Sequence, residues 1–125
     1  MISLDTNTII RYLLNDIPKQ TTEVEKVLAA SGAYITDLVL TETVFVLERV
    51  IDLPRSEIQV LLGAFLQLPM VTYNDYLLDP TLVLYSEKTK LSFVDCYAAV
   101  EAQMHGHQLL TFDAELVQQG LGTLP

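Results

Sequence analysis

A single cysteine, Cys96, stands in the chain, which rules out an intramolecular disulfide and a cysteine-based zinc site and agrees with a reducing compartment. No apolar run reaches the roughly 18 to 20 residues that a membrane span requires, and the opening MISLDTN lacks the basic start of a secretory signal. A cytoplasmic protein with no membrane association is therefore expected. Basic residues are scarce, seven against sixteen acidic ones, giving a formal net charge of −9. That sign opposes any grip on nucleic acid that works by neutralising many phosphates. Divalent cations bound by converging acids would cancel part of the charge and attract phosphate themselves. Internal repeats, low-complexity tracts and Gly/Ser-rich linkers are also missing. With half its residues apolar, a chain of 125 residues is expected to form one globular domain over residues 1–125.

Short apolar runs alternate with helical patterns. Ile2-Ser3-Leu4 reads as a strand stopping at Asp5-Thr6-Asn7, residue types that favour turns and helix N-caps. Helices are expected over Thr8 to Leu14 and Pro18 to Ser31, the second with Val24, Val27 and Leu28 at helical spacing and Gly32 as its stop. Ala33 to Thr36 is a second strand. Thr36 or Asp37 caps a helix to about Ile51, and Leu53-Pro54 opens another to about Leu68. Met70 to Tyr73 is a third strand, followed by helices over Pro80 to Lys88 and Ser92 to His105. Gln108 to Thr111 is a fourth strand, Asp113 caps a short helix closing at Gly120, and Leu121 to Leu124 forms a fifth. Parallel strands need crossover connections, so this order predicts an α/β fold of three layers, with helices on both faces of a parallel sheet of four or five strands.

Open parallel sheets gather their chemistry at the carboxyl ends of the strands. Asp5 follows the first strand and Asp113 follows the fourth, in TFD, so the two are expected at the same edge. Glu42 lies in the apolar helical stretch LVLTETVFVL and Asp95 in SFVDCYAAV. An ionised carboxylate buried there needs a cation, a hydrogen-bond network or an exit to water. One shared hard cation, Mg²⁺ or Mn²⁺, would serve all four acids. Thr6, Asn7 and Thr111 stand beside them with groups suited to holding a carboxylate or a water in place.

Each residue also has a structural reading. Asp5 and Asp113 are candidate N-caps, and Ser92-Phe93-Val94-Asp95 approximates a capping box. Arg11 or Arg49 is a candidate ion-pair partner for Glu42. Thr6, Asn7 and Thr111 are equally suited to turns. His105 and His107 follow a helix end and receive no metal role, and Cys96 reads as a small packing residue.

The stretches ISLDTN, TETVFVLERV, LSFVDCYAAV and LLTFDAEL resemble, in order and spacing and over essentially the whole chain, VapC-like PIN-domain ribonucleases, the toxins of type II toxin–antitoxin pairs. The resemblance implies Asp5, Glu42, Asp95 and Asp113 as catalytic metal ligands for Mg²⁺ or Mn²⁺, with Thr6, Asn7 and Thr111 in support. It implies an endoribonuclease that hydrolyses RNA through a metal-activated water, leaving a 5′-phosphate and a 3′-hydroxyl. It further implies a homodimer and a VapB-like antitoxin as protein partner. Arg11, Arg49, Arg55, Lys88 and Lys90 are candidates for phosphate contact, with salt bridges as their structural alternative. Other readings are an RNA-processing PIN nuclease outside a toxin–antitoxin pair, a non-catalytic module of the same fold, and a haloacid-dehalogenase-like phosphatase. The phosphatase family requires a second Asp where Asn7 stands.

Overall fold

Residues 1–125 are all described by the computed structural model, and they divide into two compact units, Met1–Asn74 and Asp75–Pro125. Unit one runs β1 (Ile2–Ser3), α1 (Thr6–Leu14), α2 (Pro18–Ser31), β2 (Ala33–Ile35), α3 (Asp37–Arg49), α4 (Arg55–Leu66) and β3 (Val71–Tyr73). Its three strands form one parallel sheet in the order β1-β2-β3, with Ile2 opposite Ala33 and Ala33 opposite Val71. Helical crossovers are what permit such pairing. Ile9, Leu28, Ile35, Leu40, Val44, Leu47, Ile58 and Leu62 are among its fully buried aliphatic side chains.

The element boundaries follow from local chemistry. Pro18 occupies the first turn of α2, where its missing N–H is no loss. Gly32 ends the helix at φ 69°, and Ala33 then donates its N–H to the Met70 carbonyl at 2.8 Å. Thr36 caps α3 by accepting the Val39 N–H at 3.1 Å, while Asp37 in the first turn and Arg49 in the last complement the helix dipole. The buried hydroxyls of Thr21, Thr43 and Thr81 each donate to a helix carbonyl, at 3.2, 2.7 and 2.6 Å. No buried side-chain N or O atom lacks a partner.

Unit two contains α5 (Asp75–Glu87), α6 (Phe93–Met104) and α7 (Ala114–Gln118). α5 begins five residues before the expected Pro80, with that proline inside it. The sequence rule failed because the residue a proline deprives of a bond, here Tyr76, sits in an exposed first turn. Leu77, Leu78, Thr81, Leu82 and Tyr85 meanwhile bury one continuous face. Tyr85 meets Phe93 edge-on at 5.6 Å, fastening α5 to α6.

The expected fourth and fifth strands reduce to one parallel bridge, Leu110 with Thr123, so the sheet has three strands rather than four or five. Two bonds make the bridge: Thr111 N–H to the Thr123 carbonyl at 3.0 Å, and Thr123 N–H to the Leu109 carbonyl at 2.8 Å. It extends no further because Phe112-Asp113 turns directly into α7 and Gly120 turns the other segment at φ 73°. No helix is long and apolar enough to cross a membrane.

Candidate metal centre

Asp5 leaves β1 in extended conformation and caps α1. Its Oδ1 accepts both the Thr8 N–H, at 2.9 Å, and the Thr8 hydroxyl, at 2.8 Å. These two donors, the backbone one first, outweigh desolvation and hold the Asp5 carboxyl below its ordinary value of 3.8. No other residue is hydrogen-bonded to its Oδ2. The neighbouring Thr6 is buried, its hydroxyl 3.5 Å from the Val39 carbonyl, where α1 packs on α3. Asn7 is exposed and lines a cleft of about 640 Å³ with Ser3, Thr8, Arg11 and Glu23.

Glu42 projects from the outer face of α3. Leu40, Thr43, Val44 and Leu47 take the buried face, while Glu42 shares the exposed face with Leu38, four residues before it, and Phe45, three residues after. Water answers the desolvation problem for this acid. Neither arginine proposed as its partner is free: Arg11 binds Asp16 at 2.7 Å and Arg49 binds Glu48 at 3.3 Å. Glu42 is left with no ion pair or hydrogen bond.

In unit two, Ser92 and Asp95 form the anticipated capping box. Ser92 Oγ accepts the Asp95 N–H at 3.0 Å, and Asp95 Oδ2 accepts the Ser92 N–H at 3.3 Å. Asp95 is half-buried between fully buried Leu91 and Cys96, while its Oδ1 remains unpartnered. Asp113 caps α7, its Oδ1 accepting the N–H groups of Glu115 at 2.8 Å and Leu116 at 3.4 Å. Thr111 Oγ1 accepts the Asp113 N–H at 2.9 Å, the turn-forming role and not a bond to the carboxylate.

Three of the four acids are therefore caps, and each spends one oxygen on capping while the second stays open. The two roles coexist on one side chain. Neither unit holds three or more His, Cys, Asp or Glu side chains placed to bind a metal ion. Each unit supplies two of the acids: Asp5 and Glu42 from the first, Asp95 and Asp113 from the second. Their carboxylate oxygens, none of them in an ion pair, have the donor chemistry that suits a hard divalent cation.

Thr8 escaped the sequence reading. Its signal was an Asp followed three residues later by a hydroxyl, in DTNT. The expected salt-bridge role holds for all three arginines, since Arg55 also pairs with Glu48, at 2.8 Å. Lys90 is exposed and has no partner.

The PIN domain family profile matches residues 2–120. The chain belongs to the PIN domain family. The match extends through every element of both units, from β1 to α7. PIN domains are a nuclease-type fold and generally act as hydrolases, typically on RNA and with Mg²⁺ or Mn²⁺. Among curated proteins, no sequence matches this PIN domain.

Proposed function

We propose that this PIN domain is a metal-dependent endoribonuclease, the toxin of a VapBC-like pair, with Asp5, Glu42, Asp95 and Asp113 as its metal ligands. One observation carries the reading. Every one of these acids keeps a carboxylate oxygen to which no other residue is hydrogen-bonded, although three of them have capping duties. Structural need alone accounts for the capping oxygens and leaves Glu42 without a task.

The residues' work is to hold charge in fixed positions. The Thr8 donors orient the Asp5 carboxylate and lower its pKa, and the reciprocal bonds with Ser92 fix the rotamer of Asp95. Thr111 fixes the backbone of Asp113. A bound Mg²⁺ or Mn²⁺ supplies Lewis-acid stabilisation of the charge that grows on the phosphodiester and makes an attacking water more acidic. Asp5, Asp95 and Asp113, held by their capping bonds, would each offer an open oxygen to the cation. Homodimerisation, a VapB-like antitoxin and a cytoplasmic location belong to the same proposal.

Purified protein, free of any antitoxin, is incubated with single-stranded and transfer RNAs in Mg²⁺ or Mn²⁺, with and without EDTA. Internal cleavage that EDTA abolishes supports the proposal. RNA left intact in both metals by folded protein contradicts it.

A further inference from the structure

We propose that Gly122 is a positioning residue for Asp113, acting through Thr111; the inference rests on the reading of Asp113 as a metal ligand. A Cβ at Gly122 would lie 2.5 Å from Thr111 Cγ2, closer than real side chains approach. Its other neighbours, Leu116 Cβ at 3.4 Å and the Leu109 carbonyl oxygen at 3.5 Å, are at ordinary contact. Gly122 is not among the glycines with positive φ, which are Gly32, Gly106 and Gly120. Glycine is required at 122 for space and not for backbone conformation.

The space belongs to a side chain that cannot yield without consequence. Thr111 carries its methyl and its hydroxyl on one Cβ, so any χ1 rotation that clears the methyl also swings Oγ1. Oγ1 is the acceptor of the Asp113 N–H. Retreat of the backbone is blocked too. Thr111 and Leu109 are both bonded to Thr123, and Gly122 itself donates to the Leu116 carbonyl at 3.1 Å. Leu116 lies in α7, the helix that Asp113 caps. Gly122, Thr111, Asp113 and Leu116 thus form a closed set of contacts in which a single added methyl group is transmitted to the carboxylate.

The test compares the whole chain with Gly122→Ala and with Gly122→Ala/Thr111→Ser. Serine removes the obstructing methyl and keeps the hydroxyl. Amide exchange of Asp113 is followed by NMR without metal, and Mn²⁺ affinity by calorimetry. Gly122→Ala is expected to speed Asp113 exchange about fivefold and to weaken Mn²⁺ binding about tenfold, and the serine change should restore both. Wild-type exchange and affinity in Gly122→Ala overturn the inference, as does a loss that serine fails to restore. If Gly122→Ala does not fold, the double variant decides: Asp113 protected as in wild type supports the inference, and Asp113 unprotected in a folded protein overturns it. Wild-type protein that binds no Mn²⁺ refutes the metal reading of Asp113 instead, while the exchange measurement still decides the coupling.

Discussion

Replacing Asp95 with asparagine separates capping from metal binding. The amide oxygen of asparagine can accept the Ser92 N–H as Oδ2 does now, so the capping box survives. What disappears is the negative charge in the first turn of α6, where it complements the helix dipole. That loss is worth about 0.3–1 kcal/mol, within reach of a urea titration. Asp95→Ala also deletes the bond to Ser92 and is expected to cost about 0.5–1.5 kcal/mol more. Cleavage should respond differently. If Asp95 is a metal ligand, Asp95→Asn removes one of the charges that bind the cation, and the rate should fall at least about 100-fold, equivalent to about 2.7 kcal/mol. The assay is initial-rate cleavage of a labelled RNA at saturating Mg²⁺, with folding of each variant checked by circular dichroism. Metal-dependent cleavage at the wild-type rate in Asp95→Asn would refute the reasoning and leave Asp95 as a cap alone.

Three further outcomes are expected. Because the Thr8 donors hold the Asp5 carboxyl below its ordinary value, its contribution to stability is fully present above that value. It is lost as pH falls through the folded-state pKa, so urea unfolding between about pH 5 and pH 2 should show an acid-side slope that Asp5→Asn reduces. Carbon NMR titration of Asp5 at or above its ordinary pKa would contradict this. Gly32→Ala should destabilise by about 1–3 kcal/mol in thermal unfolding, since φ 69° with ψ 172° is a conformation only glycine adopts readily and the new Cβ would sit 3.1 Å from the Met70 carbonyl oxygen. A double-mutant cycle should find appreciable coupling between Glu48 and Arg55, whose side chains are 21% and 14% exposed. Coupling of Glu48 to Arg49, 67% exposed, should be below about 0.5 kcal/mol.

Features encoded within a few residues were legible in the sequence. Asp5, Asp113 and the Ser92–Asp95 pair announced their helices because capping depends on groups two or three residues away. Pro18 and Gly32 bounded α2 for the same local reason. Local rules misled at Pro80, where the buried face of α5 outweighed one missing backbone bond. They misled again at Gln108 to Thr111, where strand-like composition produced a single bridge because strand length depends on partners far away in the chain. Glu42 stood out as an acid among apolar residues, and helical periodicity places its carboxylate in water on the exposed face of α3. The coupling of Gly122 to Thr111 depends on a 2.5 Å approach that no spacing in the sequence reveals.

The central claim is that Asp5, Glu42, Asp95 and Asp113 bind one kind of cation together, and a Mn²⁺ titration followed by NMR tests it most directly. Paramagnetic broadening should be strongest at those four residues, rise in parallel with added Mn²⁺ and be relieved by excess Mg²⁺. Broadening centred elsewhere, or confined to one pair of the acids, would contradict the account.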